Sequence, residues 1–107
     1  MVTMELGGNI SLSGFSDRDF TEMIVIKKMV GQYSRKLTDG VPGFTKLSIT
    51  MKEIHGDRDK IEIIAKADVD SHTYSAEVTG HNIFIVLDDG LKHVIEQIHH
   101  ALERQKH

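Results

Sequence analysis

Between Ala76 and Ile98 the chain changes its hydrophobic period, and that change constrains the fold more than any other feature. Tyr74, Ala76 and Val78 alternate with Thr73, Ser75, Glu77 and Thr79, the two-residue rhythm of a strand with one buried face. From there the apolar residues are Ile83, Phe84, Leu87, Leu91, Val94, Ile95, Ile98 and Leu102. Steps of three and four put them on one face of a helix. The switch falls at Gly80-His81-Asn82. Asn82 is placed to cap the helix, its side-chain oxygen taking a backbone N–H that the first turn leaves unpaired.

Upstream, the same two rhythms recur. In "NISLSG", Ile10 and Leu12 point one way and Ser11 and Ser13 the other, with Gly14 ending the strand. The next stretch predicts a helix from about Asp17 to Leu37, with Ser16 as its N-cap and Phe20, Met23, Ile26 or Lys27, Val30, Tyr33 and Leu37 as its stripe. Asp17 and Asp19 lead, while Lys27, Lys28, Arg35 and Lys36 trail, as the helix dipole favours. Asp39-Gly40 and Pro42-Gly43 make a turn-rich connection. Alternation then predicts strands in "FTKLSITMKEI", "KIEIIAKADV" and "TYSAEVT", joined by polar loops at His55–Asp59 and Asp70–His72. The order is β-α-β-β-β-α. Each strand has one apolar face and both helices are amphipathic, so the economical solution is a two-layer α+β sandwich. Four strands form the sheet, both helices pack on one face, and the other face is open. The last three strands form an antiparallel meander, and the strand-helix-strand crossover favours parallel pairing of the first.

A chain of 107 residues is one domain by length, residues 1–107. It has no cysteine, which excludes disulfides and thiolate chemistry. No apolar run approaches the roughly 20 residues of a membrane span, and the opening "MVTMELGGNI" has no basic-then-apolar leader. A cytoplasmic location without a membrane partner is the expectation. "LGG" reads as a flexible lead-in. The net charge of −3 with histidines neutral argues against simple binding to phosphate backbones. The seven histidines would add positive charge below about pH 6.5.

With this order in hand, the residues around Gly80 resemble the ribosome hibernation-promoting factor and ribosome-associated inhibitor A family (the sigma-54 modulation protein-like proteins). Ala76, Glu77 and Gly80 match its turn, and Ile83-Phe84 its apolar-aromatic pair. Leu87-Asp88 match its Ile-Asp step, with Val94, Gln97 and Ile98 in the helix after it. Upstream, "ISLSG" is similar to the family's opening strand and "KKMVGQY" to the end of its first helix, with Lys27, Lys28 and Tyr33 in place. Where the family tends to carry Lys or Arg in the last helix, this chain has His93, Glu96, His99 and His100. The resemblance implies the same β-α-β-β-β-α fold. It also implies a non-enzymatic, ribosome-associated RNA-binding protein that occupies the small subunit's decoding region and restrains translation under stress. The partner would be ribosomal RNA or the small ribosomal subunit, with no cofactor.

Candidate RNA-binding residues are Lys27, Lys28, Arg35 and Lys36 on the first helix and Lys92, Arg104 and Lys106 on the second. Cations there would displace the counterions of phosphates, and folded RNA is read largely by shape and backbone. The plain alternative is a solvated charged surface. The first helix, from Asp17 to Lys36, carries five bases against three acids. From Phe44 to Thr79 there are five bases against seven acids, so Lys46, Lys52, Lys60 and Lys66 make a mixed open face rather than a basic one. Tyr74 should point inward, leaving no stacking surface on the sheet.

His93, Glu96 and His100 share a helical face, but they span two turns and lack a fourth ligand, so surface histidines are expected rather than a metal site. No GxSxG, HExxH, P-loop or dinucleotide fingerprint is present, and no enzyme is expected. Asp88 and Asp89 on the outward helix face need no special chemistry. Gly90 costs about 1 kcal/mol relative to Ala in a helix interior, so close packing of the helix is expected to compensate. Ile64, apolar on the open face, supports an alternative: an interaction module of the same fold that works through its open sheet, as a homodimer, without RNA.

Overall fold

The computed structural model describes residues 2–56 and 59–105. The elements are β1 (Thr3–Leu6), β2 (Ile10–Ser13), α1 (Phe20–Gly40), β3 (Phe44–Glu53), β4 (Ile61–Val69), β5 (His72–Gly80) and α2 (Ile83–Gln105). The sheet order is β1-β2-β3-β4-β5, with β2 and β3 parallel and the other neighbours antiparallel. Both helices cover one face, α1 over β2 and β3 and α2 over β4 and β5. The α+β sandwich, the parallel crossover and the meander agree with the sequence reading.

The sheet has five strands rather than four. The presumed lead-in is strand β1, paired with β2 in the register Leu6↔Ile10 to Thr3↔Ser13. Gly7 and Gly8 lie at φ +62 and +83, the backbone a tight hairpin needs and which residues with a Cβ avoid. Met4 and Leu6 pack partly buried against the core, so β1 hides an apolar face of only two residues. That is too short for alternation to reveal. Asn9 fastens the hairpin: its carbonyl accepts from Leu47 N at 2.9 Å, and its side-chain amide donates to Ser34 Oγ at 3.3 Å.

α1 starts later than expected. Asp19, not Ser16, is the N-cap, accepting from Glu22 N at 2.8 Å. Phe15 is the cause: it is fully buried, and anchoring it in the core keeps the chain non-helical until Asp19. The helix also runs on through Asp39 and Gly40, which are not turn residues. Its buried face is Met23, Ile26, Val30, Ser34 and Leu37. Phe20, expected in that stripe, is 81% exposed.

α2 begins where the period changes. Asn82 Oδ1 accepts from Phe84 N at 3.0 Å and Ile85 N at 3.3 Å. Gly90 sits against β4. A methyl built on it would lie 3.4 Å from Ile63 Cγ2 and 3.9 Å from Ala65 Cβ. With Ala65, Ala67 and Ala76 also buried, this is the close helix-sheet packing the glycine predicted. Gln97 Nε2 donates to the Ser75 carbonyl at 2.7 Å, satisfying a backbone group on the outer edge of β5.

Candidate nucleic-acid interface

The open sheet face follows from the strand register. Residues opposite one another share a face, which gives the rows Glu5-Ser11-Ser48-Lys66-Ser75 and Thr3-Ser13-Thr50-Ile64-Glu77. Beyond them, Lys46 stands opposite Asp68, itself opposite Thr73, and Lys52 opposite Glu62, itself opposite Thr79. Two of the cations thus face a carboxylate directly across the strand, an arrangement that neutralises charge locally. The remainder of the face is mostly hydroxyl, with Ile64 as its apolar member. Such a surface gives a phosphate backbone little to hold. Tyr74 lies opposite Ala67, on the helix side, as expected.

The helical layer is different. α1 carries Lys27, Lys28, Arg35 and Lys36 against Glu22 and Asp39; α2 carries Lys92 and Arg104 against Asp88, Asp89, Glu96 and Glu103. The basic surface therefore belongs to α1 and does not continue across α2. Lys27, Lys28, Arg35 and Lys36 are all exposed. Lys27, Lys28 and Arg35 take part in no ion pair among the described residues. Phe20, Ile24, Lys27 or its neighbour Lys28, Gly31 and Arg35 succeed one another at steps of three and four, so they form one outward strip. α1 buries its other side in the core, which fixes this strip rigidly outward.

The other predicted cations are differently placed. Lys36 Nζ sits 5.3 Å from the centre of the Tyr33 ring, within cation-π range. Lys92 Nζ pairs with Asp88 Oδ2 at 2.8 Å. Arg104 Nε donates to the His100 carbonyl at 3.4 Å at the end of α2. Twelve residues separate it from Lys92, about 18 Å along a helix. Lys106 lies outside the described residues.

Asp88 has more to do than the sequence suggested. Tyr33 Oη donates to Asp88 Oδ1 at 2.5 Å, joining α1 to α2. The hydrogen bond from Lys92, then that from Tyr33, holds the Asp88 carboxyl below its usual range. Lys92 is raised in turn by its bond to Asp88. Burial, the bond to Asp88 and the charges of Asp88 and Asp89 push the Tyr33 hydroxyl up to about 12. Lys36, Tyr33, Asp88 and Lys92 thus form a chain of contacts across the two helices. Its signal was an acid on the outward face of α2 and a tyrosine at the edge of the α1 stripe, but only the packed helices reveal that they meet.

Two adjoining clefts of about 490 and 320 Å³ share Arg18, Asp59 and Ile61 as lining and lie beside the first turns of both helices. Their charges are mixed, with Arg18 paired to Glu22 at 3.8 Å. Among the described residues no group of His, Asp and Glu is arranged to hold a metal ion, and His93, Glu96 and His100 do not form one. No helix is long and apolar enough to cross a membrane among the described residues.

No family model matches the chain, and no curated protein matches it. Solved structures do. The chain superposes on a ribosomal subunit interface protein from Coxiella burnetii with a TM-score of 0.59 and 11% identity, over 89% of this chain and 96% of that one. At that identity the match establishes the fold: this chain shares its two-layer architecture with that ribosomal subunit interface protein.

Proposed function

We propose that this protein is a cytoplasmic, non-enzymatic, ribosome-associated RNA-binding protein that restrains translation at the decoding region of the small subunit. The observation that carries this reading is the rigid, outward strip of Lys27, Lys28 and Arg35 on α1, free of ion pairs among the described residues. It lies on a fold shared with a ribosomal subunit interface protein. Lys36 flanks the strip, with Lys92, Arg104 and Lys106 as outlying contacts. The distribution of charge supports α1, not the open sheet, as the RNA side. The open sheet sets Lys46 and Lys52 opposite carboxylates in register, whereas Lys27 and Lys28 on α1 have no acid one turn away and are left for an external anion.

Co-sedimentation with small ribosomal subunits tests the reading. Binding should be present at low salt and fall as salt rises. Replacing Lys27, Lys28 and Arg35 together by Gln should lower the slope of log affinity against log salt by about 2–3. Lys52→Gln with Lys66→Gln should leave the slope unchanged. No co-sedimentation at low salt, together with a dimer by light scattering, would favour the interaction module acting through the open sheet.

A further inference from the structure

Four large apolar side chains stand in solvent on the opening turns of the two helices: Phe20 at 81% exposure, Ile24 at 53%, Val25 at 41% and Ile85 at 60%. Both helices begin at the same end of the molecule, since Arg18 and Glu22 line one cleft with His81 and Phe84. Phe20 is the first residue of α1 and takes part in no ring or cation contact among the described residues. Ile24 follows one turn later on the same strip, then Lys27 and Lys28 after another turn, about 11 Å along the axis from Phe20. An apolar head therefore runs directly into a basic tail.

The charge of that tail selects the occupant. A second copy seated on this strip would bring Lys27 and Lys28 of one chain towards those of the other, and like charges repel. A lipid surface needs a broad apolar face to insert, and α1 has committed its main stripe to the core. Double-stranded RNA would satisfy the cations but offers no base faces, leaving Phe20 and Ile24 in water. Unpaired RNA supplies both requirements, because every base has a stacking face and every linkage a phosphate.

We infer that Phe20, flanked by Ile24, is a stacking platform for an unpaired nucleotide whose strand continues over Lys27, Lys28 and Arg35. The inference rests on RNA binding by α1 and specifies the form of that RNA. The chain has no tryptophan, so Phe20→Trp introduces one indole at the platform. Titration with a single-stranded oligoribonucleotide should quench its fluorescence, while a blunt duplex of equal length should not. Phe20→Ala should weaken single-strand binding on the order of tenfold and leave duplex binding and the melting temperature unchanged. If Phe20→Ala binds the single strand like the parent while Lys27→Gln with Lys28→Gln does not, the platform is refuted and RNA binding by α1 stands. Failure of the parent to bind either RNA sinks both. A Phe20→Ala variant that keeps its RNA affinity but loses a dimer, or loses binding to anionic vesicles, would assign the patch elsewhere and overturn the inference.

Discussion

Replacing Tyr33 by Phe removes one oxygen and asks whether a single bond holds the two helices in register. Tyr33 Oη donates to one Asp88 oxygen at 2.5 Å while Lys92 holds the other at 2.8 Å. Hydrogen bonds to charged groups contribute about 1.5–3 kcal/mol. The Asp88 side chain keeps 33% of its surface in water and would retain Lys92 after the substitution, so the low end applies, about 1.5 kcal/mol. For a chain of this size that lowers Tm by about 6 °C. Urea denaturation at pH 7 reads the free energy directly, with the slope m unchanged. Asp88→Asn removes the charge but keeps the shape, and the double-mutant cycle should return a coupling of about 1 kcal/mol.

The pH dependence gives an independent check. Asp88 titrates below its ordinary value, so its contribution is present above the unfolded-state pKa and lost as pH falls through the folded one. The cost of Tyr33→Phe should therefore shrink in acid. Tyr33 is raised from 10.0 to about 12. Its contribution is complete below 10.0 and lost as pH rises towards about 12, so Tyr33→Phe should flatten the alkaline limb of the stability curve in that window. Additive single substitutions, or a cost that ignores pH at both ends, would refute the proposed bond between the helices.

Gly14→Ala should cost at least about 3 kcal/mol, because Gly14 lies at φ +86 and a methyl there meets the Met51 carbonyl oxygen; a urea midpoint close to the parent would contradict this. Gly90→Leu should cost about 2–3 kcal/mol by lifting α2 from Ile63 and Ala65, read by thermal unfolding. Asn82→Ala should cost about 1 kcal/mol through loss of the bonds to Phe84 N and Ile85 N. Hydrogen exchange should show the loss at the first turn of α2.

Much of the fold was legible because burial imposes a period. Ile61, Ile63, Ala65, Ala67 and Val69 are all buried, and their neighbours Glu62, Ile64, Lys66 and Asp68 are not. Ile64 shows that position in the alternation, not hydrophobicity, decides the face. What escaped the sequence was short or tertiary in origin. β1 exposes half of its four residues and buries the others only partly. The start of α1 was misplaced because Ser16 is a good cap in isolation, and the burial of Phe15 that overrides it is a property of the packed core. Phe20 extends the spacing of Met23, Ile26 and Val30 by one step, and periodicity cannot say that this first residue of α1 is left in solvent.

The candidate site was legible in composition but not in arrangement. Lys27, Lys28, Arg35, Lys46, Lys52 and Lys92 are alike in sequence, each a cation among mixed neighbours. Register separates them. Lys46 and Lys52 fall opposite Asp68 and Glu62 only because the hairpin sets the strands in that pairing. Lys92 falls on Asp88 because both occupy one helical face four residues apart. On α1 the residues four positions from Lys27 and Lys28 are Met23, Ile24, Gly31 and Gln32, and those four from Arg35 are Gly31 and Asp39. Lys27 and Lys28 thus lack the acidic neighbours that Lys46, Lys52 and Lys92 have, whereas Arg35 has Asp39 one turn away and Lys36 acts on Asp88 across the helices. A net charge of −3 counts every acid equally, but the acids that matter for an anion approaching α1 are those within about 8 Å of its strip, the reach of a charge at physiological salt.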